Sequence, residues 1–260
     1  MKHLRLIARY VRHNLMAGMA YRGAFFLQVF GMVLNNMMLL FFWSVLFSRF
    51  PSLNGWALTD VVTLYAMVAL GFGGSVVVFG NAPRMAQLIA NGDLDYYLAL
   101  PADPLLHLLI SRMSMSGWGD VLFGLALFVI AVPGWAAKLP LFLGLGVCVG
   151  LIFTAFRVIV GSLAFWIGQA QNLAMQLGNA MITFSIYPID IFPGFVRVLL
   201  YTLIPAAFVG SVPTRLLGAF DWLDLLELLA VTVGFIVLAR WIFALGLRRY
   251  ESGNLVGARG

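Results

Sequence analysis

Charge is what this sequence has least of. Only 10% of its 260 residues are Asp, Glu, Lys or Arg, while 62% are hydrophobic and the mean hydropathy is +0.98. Soluble domains carry roughly 25% charged and about 45–50% apolar residues. So little charge excludes a fold whose only solvent is water and places the chain in lipid. Histidine and cysteine are scarce as well. His3, His13 and His107 are scattered, and Cys148 is the single cysteine, set in an apolar run with no His or carboxylate nearby. An internal disulfide is excluded, and no spacing suits a metal site. No H-E-x-x-H, paired-carboxylate or Ser–His–Asp arrangement can be assembled. The net charge of +6 reads as the positive-inside bias of a membrane protein. Without a basic face on a soluble domain, nucleic acid is not an expected partner. A phosphate-cradling G-x-x-x-x-G-K-[ST] is missing too. GFGGS at 71–75 lacks the lysine, and its glycines, like Gly146 and Gly150, suit close helix approach instead. The start, MKHLRLIARYVRHNL, lacks an apolar core followed by a small-residue cleavage site, so it is expected to be retained.

What the chain has in quantity is long apolar runs. A spanning helix needs about 20 apolar residues at 1.5 Å rise each. Six segments qualify, at about 24–47, 58–80, 110–132, 140–164, 168–188 and 225–247. Between the last two lies an apolar stretch, 188–220, that Pro188, Pro193, Pro205 and Pro213 divide into pieces too short to span. Proline removes a donor and breaks helices, so two short re-entrant or interfacial helices are expected there, a straight seventh span being the alternative. With the N-terminus inside, twelve basic residues fall on the inner side: Lys2, Arg5, Arg9, Arg12, Arg22, Arg84, Arg112, Arg157, Arg240, Arg248, Arg249 and Arg259. Four fall outside: Arg49, Lys138, Arg197 and Arg215. That asymmetry predicts cytoplasmic termini and an even number of spans. Residues 1–23 read as a basic amphipathic helix lying in the interface, with Leu4, Ile7, Val11 and Leu15 on one face.

The one substantial polar interruption is 81–112, NAPRMAQLIANGDLDYYLALPADPLLHLLISR. A short helix is expected from Pro83, ended by Gly92, followed by a second with Asp93 as its cap and Pro101 as its stop. If Met85, Leu88, Ile89, Tyr96 and Tyr97 stand exposed, the loop is a docking surface; the alternative is a solvated connector. Two charges fall within the spans, Asp120 and Arg157, at depths differing by roughly 5 Å. They read either as an intramembrane ion pair or, if the third span starts later, as two groups snorkelling to the inner interface. Asp221, Asp224 and Glu227 suit capping of the last span, and Gln169, Gln171, Asn172 and Gln176 an inner turn with polar interhelix contacts.

These features together resemble the type-2 permeases of ATP-binding-cassette (ABC) exporters. NGDLDYYLALP at 91–101 is similar to the G-x-L-D-x-x-L-x-x-P signature of a subfamily of uncharacterised or multidrug-type permeases. GLRRYESGN at 246–254 resembles that subfamily's C-terminal signature, and YPIDIF at 187–192 with IPAAFVGSVP at 204–213 its outer broken-helix region. The resemblance implies an all-α polytopic membrane protein forming a single permease domain, 1–260. Its parts are six transmembrane helices, the interfacial helix 1–23, a cytoplasmic coupling loop 81–109, an outer re-entrant region 188–220 and a cytoplasmic tail 248–260. It implies a bacterial inner-membrane location and a non-catalytic subunit that pairs with a second permease, identical or related. It implies a separate cytoplasmic ATPase that binds the ATP and Mg, leaving no cofactor in this chain. Coupling is then assigned to Pro83, Arg84, Met85, Gln87, Leu88, Asp93, Leu94 and Asp95. Two other classes compete. A proton-coupled secondary transporter would use Asp120, and a lipid-modifying membrane enzyme would need Asp93, Asp95, Asp103 and His107 to converge.

Overall fold

The structure, a computed structural model, describes residues 2–101 and 103–250, with side chains from residue 5 onward. The last ten residues of the tail expected at 248–260, including the final four of the C-terminal signature (251–254) and Arg259, lie outside the described residues. The regular structure of the described residues is helical throughout, with no strand. In chain order it comprises α1 (Lys2–Ala20), α2 (Arg22–Arg49), α3 (Leu58–Val78), a 3₁₀ turn (Ala82–Arg84), α4 (Met85–Ala90), α5 (Leu94–Leu98), α6 (Pro104–Ile110) and α7 (Gly117–Ala131). There follow α8 (Trp135–Ser162), α9 (Ala164–Ile167), α10 (Gln171–Ser185), a second 3₁₀ turn (Ile189–Ile191), α11 (Gly194–Thr202), α12 (Ala206–Val209), α13 (Ser211–Gly218) and α14 (Trp222–Leu247).

α3 is the centre of the bundle. It packs against α7 on one side and α8 on the other, and its glycines permit this. A Cβ placed on Gly73 would meet the Gly117 carbonyl oxygen at 2.7 Å, and one on Gly150 would meet that of Gly71 at 3.0 Å. Backbones therefore touch where lipid supplies no hydrophobic push between helices. The Ser75 and Thr154 hydroxyls share a hydrogen bond at 2.9 Å across the α3–α8 seam.

By length and composition, four helices among the described residues can cross a membrane: α2, α3, α8 continued by α9, and α14. A fifth is possible if α11 and α12–α13, bent by 64°, count as one broken span. The expected six-span layout is thus met only in part. The third and fifth expected spans become 15-residue helices, α7 and α10, each about 22 Å long against a hydrocarbon core of about 30 Å. The physical reason is local. Residues 111–116 leave the helix because their backbone pairs with the end of α3. Gly80 N–H donates to Arg112 O at 3.0 Å and Ser114 N–H to Val76 O at 2.9 Å. Non-helical backbone at such a depth is tolerable when protein covers it. Gly168, at φ +69°, turns the chain between α9 and α10. The prolines at 193 and 205 break the following segment as expected, though into three short helices rather than two.

The connections gather into two clusters. In one, the Asn54 amide donates to Asp190 O at 2.9 Å, the Trp56 indole to the Asp190 carboxylate at 2.9 Å, and Lys138 to Leu217 O at 2.8 Å. In the other, Asn14 reaches Ile110 O at 3.3 Å, Tyr10 meets His107, and Arg240 pairs with Asp103. α1 and the end of α14 therefore share the cluster that contains loop 81–112. The described part of α1 is amphipathic, with Arg5, Arg9 and Arg12 exposed and Ile7, Val11 and Leu15 half-buried.

Candidate functional site

Loop 81–112 is a folded unit. Asn81 is buried and donates to Leu108 O at 2.9 Å and Ser111 Oγ at 2.7 Å, and Tyr97 shares a hydrogen bond with Ser111 at 2.9 Å. These bonds tie the first and last turns of the loop together. Gly92, at φ +80°, separates α4 from α5 in the left-handed region that glycine enters freely. Asp93 does not cap α5; the loop's cap is Asp103, which accepts from Leu106 N–H at 2.8 Å ahead of Pro104.

The expected exposure is found at Tyr96 and in part at Tyr97, but not at Met85, Leu88 or Ile89. Met85, Leu88, Ile89 and Leu94 are all buried. α4 lies against the end of α8, where a Cβ on Gly161 would come within 2.9 Å of Met85 Cβ. Burying the α4 side chains Met85, Leu88 and Ile89 against α8 and α9 removes them from any solvent, which is why an apolar face inside a polar loop marks anchoring rather than docking. Of the residues assigned to coupling, Met85, Leu88 and Leu94 thus face inward. Pro83 and Asp93 are exposed, and Arg84, Gln87 and Asp95 are half-exposed. Tyr96 stands out at 66% exposure. Asp95 lies against Tyr250 just past α14, whose hydroxyl is pushed up to about 12 by burial and by that carboxylate. Tyr10, facing the same region from α1, is raised by burial and by Tyr96 and Tyr97.

The intramembrane pair is corrected as well. Asp120 and Arg157 do not meet. α7 begins at Gly117, so Asp120 sits in its first turn. It is buried there and accepts from the Asn36 amide of α2 at 2.7 Å. Asn36 in turn accepts from the Tyr65 hydroxyl of α3 at 2.7 Å. The second carboxylate oxygen of Asp120 has no partner. The late start of α7 matches the snorkelling alternative, but the burial does not. A short polar chain joins α2, α3 and α7, and Asn36, its middle member, was not singled out by sequence reasoning. An Asn pair interrupting the otherwise apolar run of α2, at Asn35 and Asn36, was the available signal.

Arg157 is 8% exposed and lies flat on α10, where a Cβ on Gly178 would meet its Cζ at 2.7 Å. It lines a cavity of about 690 Å³ walled by α2, α3, α8, α10 and the loop, and shared with Arg84 and Arg112. α10 exposes Gln171, Asn172, Gln176 and Asn179, and Gln171 and Asn179 also border the cavity. At the opposite cluster Asp221 caps α14 through Leu223 N–H at 2.7 Å, as expected.

The acidic and histidine residues that a lipid-modifying enzyme would need do not gather into one cluster among the described residues. Asp103 pairs with Arg240 of α14, and His107 meets Tyr10 of α1. Among the described residues no three His, Cys, Asp or Glu side chains gather to hold a metal ion.

The sequence matches a family model, described as ABC-2 family transporter protein, over residues 33–254. The chain belongs to this family. The match runs from the middle of α2 past the end of α14, so it embraces the bundle, the loop and the cavity. No curated protein and no solved structure matches the chain. Membership agrees with the resemblance read from the motifs, and it identifies a multi-pass membrane component of a transport system.

Proposed function

We propose that this chain is the membrane-spanning permease of an ATP-driven exporter, working as a pair of permeases with separate cytoplasmic ATPase subunits. Family membership carries the reading, joined to a sequence without a nucleotide-cradling motif. In this account the loop is a lever. Its buried α4 face, Met85, Leu88 and Ile89, is fastened to α8 and α9, so a push on the loop moves the helices. Its outward residues, Pro83, Arg84, Gln87, Asp93, Asp95 and Tyr96, meet the ATPase. A rigidly packed lever transmits displacement because close-packed interiors compress little.

Two features support pairing. α2 leaves a stripe of Leu27, Phe30, Leu34, Met38 and Phe41 bare, which lipid or a second permease can cover. α10 leaves amide side chains bare. Polar groups at membrane depth are costly and seek a water path or a partner helix. A pathway between the α10 helices of two copies meets that need. The basic residues set the orientation. The cluster holding α1, loop 81–112 and the end of α14 faces the cytoplasm of a bacterial inner membrane. The alternation of the two connection clusters fits six crossings, with the short α7 and α10 counted among them.

The test is reconstitution of the purified chain with its candidate ATPase in proteoliposomes. ATP turnover by the ATPase is expected to rise on adding the permease. Turnover identical with and without the permease, in vesicles where both are folded, contradicts the proposal.

A further inference from the structure

Arg157 presents a problem that the transport reading does not solve. The residue is more than nine-tenths buried. The ion pairs among the described residues belong to Arg197, Arg215 and Arg240, and no hydrogen bond reaches the Arg157 side chain. An unpaired buried cation is costly. Nor is it alone. Arg84, half-exposed, and Arg112, exposed, border the same 690 Å³ cavity without an ion pair among the described residues, and no carboxylate lines it. Three like charges around one space repel each other, more strongly where water is thin. Asp120, the nearest candidate counter-ion by sequence depth, is held by Asn36 and lies outside the lining. The rest of the wall is mixed: Gln28, Gln87, Ser114, Ser116, Gln171 and Asn179 are polar, while Met32, Met113, Met115 and Met175 supply an apolar and adaptable part. Unbranched thioether side chains fit irregular apolar shapes.

We propose that this cavity binds an amphipathic anion. Its phosphate or carboxylate head sits on Arg157, flanked by Arg84 and Arg112, and its apolar portion lies against the methionines. A guanidinium presents a planar donor fork that matches such heads. Gly178 keeps the fork in place, since any side chain there collides with it. The same three arginines disfavour cations in the cavity. The inference rests on reading the chain as a membrane permease, which supplies both candidate sources of the ligand: an anionic phospholipid of the adjoining leaflet, or a soluble amphiphilic anion entering as cargo.

The experiment is native mass spectrometry of the full-length chain in non-ionic detergent. Phosphatidylglycerol, phosphatidylcholine and dodecyl phosphate are added as separate probes. An anionic probe is expected to be retained over phosphatidylcholine, and Arg157→Gln to weaken that retention about tenfold or more, the scale of a lost charge-assisted hydrogen bond. Gly178→Ala removes no charge but displaces the guanidinium, so it is expected to weaken retention as well and decides the matter if Arg157→Gln does not fold. Arg197→Gln, in the opposite cluster, is expected to change nothing. Retention of phosphatidylglycerol alone identifies a lipid ligand, and retention of dodecyl phosphate as well identifies a general amphiphile site. Equal retention of phosphatidylglycerol and phosphatidylcholine, or anion retention unchanged by Arg157→Gln, Gly178→Ala and Arg84→Gln with Arg112→Gln, overturns the proposal. No ATPase enters the assay, so failure here leaves the exporter reading standing, and failure of ATP coupling leaves this result standing.

Discussion

Loop 81–112 and helix α2 exchange the roles their compositions suggest. The loop is the main polar interruption between the apolar runs, yet Met85, Leu88, Leu94 and Leu108 within it are buried. α2 is apolar enough to cross a membrane, yet Asn36 and Trp43 are its buried residues and Phe26, Leu27, Met38 and Phe41 stand bare. The difference teaches what hydropathy measures in a membrane protein. An apolar run reports which solvent a segment tolerates, and lipid is as apolar as leucine. A segment bounded by water, as the loop is, must bury its few apolar groups to gain anything from them. Its sparse leucines are therefore the better markers of tertiary contact.

The largest expected effect sharpens this contrast. Met85→Ala with Leu88→Ala removes two buried side chains from the α4–α8 contact. Each change of this kind costs about 2–5 kcal/mol, so the double variant should lose most of its thermally stable, monodisperse fraction in fluorescence-detected size exclusion. A variant that stays folded but loses ATPase capture alone would restore the docking role expected from sequence. Gly73→Val is next. Its added atoms meet the Gly117 backbone, and overpacking of this kind costs about 1–3 kcal/mol. It should lower the unfolding midpoint, whereas Gly74→Ala, with open space around its Cβ, should not.

How far the sequence carried the reading follows from the same physics. The long helices, the proline-broken region and the Asp221 cap are local consequences of run length, ring geometry and side-chain chemistry, and each was legible. The shortening of α7 was not. It depends on backbone pairing of residues 112–114 with residues 76–80, a contact that leaves no local signature. The Asp120 partner was missed for a related reason. Depth along a helix can be counted, but the facing direction of Asn36 and Asp120 depends on how α2 and α7 pack. Arg157 was recognised as an intramembrane charge, and its lack of a partner needed the fold.

A double-mutant cycle measures the corrected pairing. Asn36→Ala and Asp120→Ala should couple by about 0.5–3 kcal/mol in unfolding free energy, as contacting residues do, while Asp120→Ala and Arg157→Gln should be additive within about 0.5 kcal/mol. Coupling in the second cycle and additivity in the first would reinstate the ion pair. A smaller effect is expected at Tyr250. Its folded pKa is raised from 10.0 to about 12, so its contribution is fully present below pH 10 and lost as pH rises through about 12. Hydrogen exchange of α5 should quicken across that window, and Tyr250→Phe should flatten the change. The smallest effect belongs to α2. Phe30→Leu on its bare stripe should shift stability by less than about 0.5 kcal/mol.

The account's central claim is that the outward residues of loop 81–112 carry the ATPase while its inward residues carry the fold. Co-purification of the ATPase with tagged permease tests this most directly, using Tyr96→Ala combined with Asp93→Lys. Both side chains are exposed, so the unfolding midpoint should stay at the wild-type value while the captured ATPase falls about tenfold or more, as loss of a central aromatic anchor implies. Full capture by a folded double variant would contradict the claim.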